Sequence, residues 1–94
     1  MGRKANATQS IDLHLGNRLH CRRKALRITQ KQLGELAGVT FQQIQKYECG
    51  TNRISGAMIW LLADALEVPV TYFYDGLPKP QNEAVAPEAL RDAA

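Results

Sequence analysis

Long apolar runs, cysteines and early acidic residues are all scarce in this sequence. No apolar run approaches the roughly 20 residues of a membrane-spanning helix, and no apolar segment follows Arg3 and Lys4 as it would in a secretory signal. The two cysteines, Cys21 and Cys49, form neither a CxxC motif nor a disulfide framework. We therefore expect a cytoplasmic protein with free thiols that does not enter a membrane.

Arrangements of side chains that support catalysis are also missing. The sequence shows no nucleophile with a neighbouring base and acid, no glycine-rich loop for phosphate and no carboxylate pair. His14 and His20 lie six residues apart, whereas two ligands on one helical face are separated by three or four. The sequence therefore predicts no enzyme, no cofactor and no metal site.

Basic residues are concentrated at the start of the chain. Eight of the twelve lysines and arginines lie in positions 1–31, where Asp12 is the single acid. This excess predicts an anionic partner, most simply nucleic acid, although a solvated charged surface explains the charge alone equally well. The residues expected to supply charge, some of it to phosphates, are Arg22, Arg23, Lys24 and Arg27.

The apolar pattern predicts an all-α fold of five helices. A helix over residues 12–27 has one apolar face, and Asp12 suits its N-terminus. Capping patterns at Thr29 and Thr40 open two short helices, Ser55 caps a fourth over about 56–67, and residues 71–76 form a last turn or short helix. The domain is expected to occupy residues 11–76, between a flexible arm (1–10) and a flexible or weakly helical tail (77–94).

The two short helices have the spacing of a helix-turn-helix. Gly38, Val39 and Thr40 alone separate them, so the helices must cross steeply. Gly34 allows close approach, Gly38 provides the positive φ of the turn, and Val39 fills the gap. Ile44 anchors the second helix to the core. These positions must satisfy packing together, which makes the motif specific.

The second short helix, residues 41–48, exposes amides where a core would need apolar groups. With Ile44 and Tyr47 inward, one outward face carries Gln42, Gln45, Lys46 and Cys49, with Phe41 and Gln43 at its edges. Glutamine can pair with adenine, lysine can donate to guanine, and an aromatic ring can meet a thymine methyl group. The alternative is a solvated helix face rich in helix formers, but the tight turn and the basic flank favour DNA reading.

The pieces TQKQLGELAGVTFQQIQKYE, IS and LADALEVPVTYFY resemble the lambda-repressor-like helix-turn-helix regulators, the Cro or XRE family, over residues 12–76. The resemblance implies a homodimer that binds a palindromic operator in double-stranded DNA. It supports Phe41, Gln42 and Lys46 as base readers. Together with the neighbouring amide and a turn residue, the expected base-reading set is Phe41, Gln42, Gln45, Lys46 and Asn52. The expected phosphate-binding set is Arg27, Gln30, Gln43, Thr51 and Arg53.

The resemblance also assigns supporting roles and shows two departures. The helix over residues 41–48 would be the recognition helix. Gln30 would brace it as well as bind phosphate, and Glu48 would cap it or pair with an arginine of the first helix. Many family members have asparagine at the position of Cys49 and alanine at that of Gly34. A thiol at this end of the helix could block DNA binding when oxidised, but a tolerated substitution is the simpler interpretation of Cys49.

The fourth helix carries more apolar surface than its core face needs. Exposed apolar patches usually mark interaction sites, and we expect a dimer interface made of Met58, Trp60, Leu61, Tyr72 and Tyr74. The tail could instead cover this patch, or some of these residues could complete the core. The sequence thus favours a homodimeric repressor. Two alternatives are an antitoxin that binds a toxin and represses its own operon, and a protein-interaction module without DNA binding.

Overall fold

A computed structural model describes residues 2–78 and side chains from Thr8 onward. It contains four α-helices, α1 (Gly2–Ala25), α2 (Gln30–Ala37), α3 (Phe41–Glu48) and α4 (Gly56–Leu66), followed by a 3₁₀-helix, Val70–Tyr74. No strand occurs within these residues, which agrees with the all-α prediction. The predicted tail from residue 79 onward lies outside the described residues.

The first helix is longer than predicted. It begins at Gly2, so residues 2–10 continue α1 where the sequence indicated an arm, and Asp12 lies in the middle of the helix instead of at its N-terminus. The physical reason is that polarity does not oppose helix formation. After Gly2 this stretch contains no proline or further glycine before Gly16, and Ala5 and Ala7 favour the helix.

Side-chain caps begin the next three helices where the sequence predicted them. The Thr29 hydroxyl accepts from the Gln32 N–H at 3.0 Å, and the Gln32 side chain accepts from the Thr29 N–H at 2.8 Å. This reciprocal pair is the predicted capping box of α2. The hydroxyls of Thr40 and Ser55 likewise accept a backbone N–H at the starts of α3 and α4.

All five elements contribute to one apolar core. Leu19, Leu33, Ile44, Leu62, Leu66 and Phe73 are fully buried. Leu19 is on α1, Leu33 on α2 and Ile44 on α3, so α3 is packed against the other two helices through its buried face. None of the helices described is both long enough and apolar enough to cross a membrane.

The last element, predicted as a turn or short helix over residues 71–76, is a 3₁₀-helix, Val70–Tyr74. The Glu67 residue that ends α4 has φ 59°, and Pro69 precedes the 3₁₀-helix. Only five residues follow before Asp75, and Phe73 is the one that enters the core. A segment this short forms the tighter 3₁₀ turn readily.

Candidate nucleic-acid interface

The outward face of α3 carries the predicted row of polar side chains. Gln42, Gln45, Lys46 and Cys49 are exposed, while Gln43 at the edge is half-buried. Phe41 at the start of the helix is 46% exposed although it is aromatic. Ile44 and Tyr47 point into the core, as the apolar spacing predicted. The amides and the ammonium group are therefore presented to solvent on a helix held from its opposite side.

The turn between α2 and α3 holds the second helix close against the first. Gly38 has φ 80°, and its N–H donates to the Gly34 carbonyl at 2.8 Å. A Cβ at Gly34 would lie 2.5 Å from the Val39 carbonyl oxygen, a backbone atom that cannot move without moving the turn. The predicted steric roles of Gly34 and Gly38 are confirmed.

Glu48, the last residue of α3, is held by three side chains. Arg23 donates from Nε to Oε2 at 2.6 Å and from an Nη to Oε1 at 3.1 Å. His20 Nδ1 lies 2.8 Å and Gln30 Nε2 lies 3.1 Å from Oε1. The Glu48 side chain is 5% exposed and that of Arg23 is 9% exposed. This carboxylate therefore joins the recognition helix to both α1 and α2.

The pKa of the Glu48 carboxyl group reflects two opposing causes. Burial raises the pKa, because it penalises the charged carboxylate. Hydrogen bonds from Arg23, His20 and Gln30, with the charge of Arg23, lower the pKa by more. The net pKa lies below its ordinary value, so Glu48 is ionised at neutral pH and its pair with Arg23 is formed.

The four basic residues expected to supply charge differ in their contacts. Arg23 is buried, and besides Glu48 it donates to the Ile28 carbonyl at 2.8 Å, so it is not free to bind phosphate. Arg22 donates from Nε to the Leu66 carbonyl at the end of α4. Lys24 and Arg27 remain exposed. Of the four residues expected to supply charge, some of it to phosphates, Arg23 is thus the one whose donors are bound within the domain, to Glu48 and to the Ile28 carbonyl.

The predicted phosphate-binding residues lie at both ends of the helix-turn-helix. Arg27, with φ 60°, borders a shallow open depression at the start of α2 together with Lys24, Thr29 and Gln30. Thr51 and Arg53 are exposed in the turn after α3. Gln30 does brace the recognition helix through Glu48. Side chains that could contact an anion therefore lie on both sides of the exposed row of α3.

Asn52 differs in position from the other predicted base readers. The N–H groups of Thr51 and Asn52 both donate to the Lys46 carbonyl, at 3.0 and 3.3 Å, and wrap the chain around the end of α3. Asn52 is half-buried in this turn and not on the exposed row. The structure therefore separates it from Gln42, Gln45 and Lys46.

Gly16 allows α1 to approach the end of α3 closely, a contact that the sequence did not predict. A Cβ there would press on the backbone carbonyl oxygens of Tyr47 and Glu48, the latter 2.9 Å away. The end of the recognition helix therefore rests directly on the backbone of α1. A glycine between the core residues Leu15 and Leu19 was the available signal, since glycine inside a helix usually marks a close approach.

The structure divides the predicted dimer interface into two groups. Trp60 is 70% exposed, and Leu61 and Tyr74 are also exposed. Met58 and Tyr72 instead pack against the core. The Tyr72 hydroxyl donates to the Arg18 carbonyl, and the Arg18 guanidinium lies 3.7 Å from the centre of its ring. The first group is therefore more accessible to a partner than Met58 and Tyr72.

Cys49 and Cys21 are both exposed free thiols. Cys49 is the C-cap of α3, directly after Glu48, and its oxidation sensitivity stays a prediction. The two histidines make separate hydrogen bonds, His20 with the Glu48 carboxylate and His14 with the Asp75 carbonyl at 2.9 Å. Among the residues described, no group of three or more histidine, cysteine or acidic side chains is placed to hold a metal ion.

The sequence matches the model of a helix-turn-helix family (HTH_3) over residues 22–73. It is 47% identical over 68 residues to an HTH-type transcriptional regulator of Sinorhizobium medicae, an alignment that covers 72% of this chain and 49% of that protein. It is 44% identical to a transcriptional regulator encoded in the ATPase CF(0) region of Rhodospirillum rubrum, over 82% of this chain and 73% of that one. The chain thus spans about half the length of some of the curated relatives it matches.

Two solved structures share the fold. The restriction-modification controller protein C.AhdI of Aeromonas hydrophila matches with a TM-score of 0.67 and 26% identity, over 69% of this chain and 94% of that one. The P22 c2 repressor, determined in complex with a synthetic operator, matches with a TM-score of 0.60 and 32% identity, over 63% of this chain and 89% of that one.

Proposed function

This chain belongs to the Cro/C1-type helix-turn-helix family, and on that premise we propose that it is a sequence-specific DNA-binding transcriptional regulator that acts as a homodimeric repressor. Its family and its named relatives are regulators and not enzymes. The proposed partners are double-stranded DNA and a second copy of the chain. Its proposed site of action is the cytoplasm, where the double-stranded DNA of an operator would be accessible.

The exposed row on α3 is the observation that carries the proposal. Gln42, Gln45 and Lys46 extend from one face of a helix whose opposite face is buried through Ile44. The major groove admits an α-helix, and amide and ammonium groups match the donors and acceptors of adenine and guanine there. Phe41, exposed at the start of the helix, is suited to a thymine methyl group. We assign base reading to these four residues, with Asn52 as a reader from the turn.

Phosphate contacts would position the recognition helix on the duplex. Arg27 and Gln30 lie before it, Thr51 and Arg53 lie after it, and Gln43 lies at its edge. Contacts of this kind supply affinity without sequence information. Because each neutralised phosphate releases counterions, affinity should fall steeply as salt rises.

The exposed apolar residues of α4 and the 3₁₀-helix support the homodimer. Trp60, Leu61 and Tyr74 lie at the surface although their side chains are large and apolar. A two-fold dimer would place two recognition helices roughly 34 Å apart, one helical turn of DNA, and would match a palindromic operator. The P22 c2 repressor, which shares the fold, was determined in complex with a synthetic operator, and this supports operator DNA as the partner of the dimer.

Selection of bound duplexes from a random library tests the proposal. We expect an enriched palindrome whose half-sites are separated by about 10 base pairs. Enrichment of a single half-site would support sequence-specific DNA binding but would overturn the proposed homodimer. If no sequence is enriched and no duplex is retarded at low salt, DNA binding is wrong and a protein-interaction module becomes the better interpretation.

A further inference from the structure

An ion pair connects the middle of α1 to the turn that follows the recognition helix. Arg53 donates from Nε to Asp12 Oδ2 at 3.2 Å, across 41 residues of sequence. One residue further along α1, Leu13 packs against Gly50, where an added Cβ would lie 2.6 Å from Leu13 Cδ2. Two adjacent residues of α1 therefore support the two ends of the turn.

The two partners of this ion pair differ strongly in exposure. The Asp12 side chain is 15% exposed, whereas the Arg53 side chain is 66% exposed. Arg53 is held through Nε, and neither of its Nη groups has a hydrogen-bond partner among the described residues. An arginine carries five N–H donors in a planar fork, so this contact leaves the outer edge of the fork free. That edge is suited to a bidentate contact with a phosphate.

We propose that Asp12 is a positioning residue that orients the guanidinium of Arg53 toward a DNA phosphate. This inference rests on the proposed function, and it assigns to the α1 carboxylate a part in DNA binding that its negative charge would not suggest. A long arginine side chain loses conformational freedom when it binds, and a fixed geometry reduces that cost. Ile54, buried next to Arg53, fixes the backbone from which the side chain extends.

A masking role for Asp12 predicts the opposite behaviour. A carboxylate close to a phosphate repels it, so an acid that only covered Arg53 would weaken DNA binding, and its removal would strengthen it. The structure favours positioning, because the Asp12 carboxylate is mostly covered and contacts Arg53 only through Nε, whereas the larger part of the Arg53 side chain is exposed to solvent.

The test compares Asp12→Ala, Asp12→Asn, Arg53→Ala and the double variant Asp12→Ala/Arg53→Ala, by fluorescence anisotropy on the selected duplex over a range of salt concentrations. Glu35→Ala is the matched control, since it removes one exposed acid from α2 and contacts neither residue. Circular dichroism and thermal unfolding establish that each variant is folded. If Asp12→Ala does not fold, Asp12→Ser, whose side chain is too short to hold Arg53, replaces it.

We expect Asp12→Ala to weaken binding roughly twofold to fivefold, the size of the contribution of one exposed ion pair. The slope of log affinity against log salt should fall by about 0.9, the value for one lost phosphate contact. A change in stability alone would not move this slope. Asp12→Asn keeps an acceptor oxygen, so its DNA affinity should be closer to that of the wild type. In the double variant, Asp12→Ala should cause no loss of affinity beyond that of Arg53→Ala alone.

Wild-type affinity and slope in Asp12→Ala, or tighter binding than Glu35→Ala, would overturn the positioning role while leaving the proposed function intact. Equal losses of DNA affinity in Asp12→Ala and Asp12→Asn would show that the hydrogen bond to Arg53 is not the cause of the loss. Failure of the wild-type protein to bind any duplex would instead overturn the proposed function, and the inference with it.

Discussion

The Arg23 guanidinium lies 2.6 Å from the Glu48 carboxylate, and this contact joins the first helix to the last residue of the recognition helix. Both side chains are almost fully buried. His20 and Gln30 complete the cluster from α1 and α2. The orientation of α3 therefore depends on a charged pair as well as on the apolar anchor Ile44.

Glu48→Gln should destabilise the domain strongly. Removing one partner leaves the other charge buried without compensation, a change that costs about 3 kcal/mol or more of unfolding free energy. Urea denaturation measures this cost, and Glu35→Gln on the exposed face of α2 is the matched control. A loss no larger than that of the control would show that the buried pair contributes nothing to stability.

Stability should also fall in acid because of Glu48. Its pKa is lower in the folded protein than its ordinary value of 4.5. The unfolded state therefore takes up the proton first, and the stabilisation is complete above pH 4.5 and is lost as pH falls through the folded pKa. Urea midpoints of wild type and Glu48→Gln, measured from neutral pH down to acid, should converge below pH 4.5. A constant difference between them would contradict this assignment.

Gly16→Ala should displace the recognition helix. The new Cβ would press on the carbonyls of Tyr47 and Glu48, and overpacking against backbone costs about 1–3 kcal/mol. The matched control is Gly56→Ala at the start of α4, where nothing lies within 4 Å of the added Cβ. We expect that variant to stay within about 0.5 kcal/mol of wild type. Equal thermal midpoints for the two variants would show that α3 tolerates the added methyl group.

Gln42→Ala should relax sequence preference, because a bidentate amide–base pair contributes about 1–3 kcal/mol of discrimination. Arg53→Ala should weaken all sequences alike, since phosphate contacts carry no base information. Anisotropy on the selected operator and on single-base variants separates the two effects. An unchanged preference after Gln42→Ala would remove this residue from the base readers.

If the chain forms the proposed dimer, Trp60→Ser should convert it to a folded monomer. Trp60 is 70% exposed in the isolated chain, so its removal takes little from the core. Leu36→Ser is the matched control, because Leu36 is also apolar and exposed but lies on α2. Sedimentation equilibrium gives the mass of each variant. An unchanged dimer mass for Trp60→Ser would place the interface elsewhere.

Local signals in the sequence were sufficient to place α2, α3 and α4. Thr29, Thr40 and Ser55 each bond to a backbone N–H three residues away, so the cap and its helix are neighbours in sequence. The exposed row of α3 was predictable for a similar reason. Once Ile44 is buried, helical periodicity alone directs Gln42 and Lys46 outward.

The start of α1 and the form of the last element were not predictable in this way. A polar segment has no apolar face that reveals a helix, and five residues before Asp75 carry too little periodicity to separate a 3₁₀-helix from an α-helix. By spacing alone Tyr72 resembles Tyr74, and both are predicted to lie in a dimer interface. The contacts of Tyr72 with Arg18, 54 residues earlier, and its partial burial against the core distinguish it from Tyr74.

The sequence by itself determined where the short helices begin and which of their faces is polar, because capping and periodicity act over three or four residues. Tertiary structure alone decided which charged side chains are exposed to solvent and which are paired within the domain. Lys24 stays in solvent while its neighbour Arg23 is buried against Glu48, and Asp12 reaches Arg53 across the domain. These pairings join residues 25 and 41 positions apart, so they depend on how the helices cross, and no local pattern records that angle.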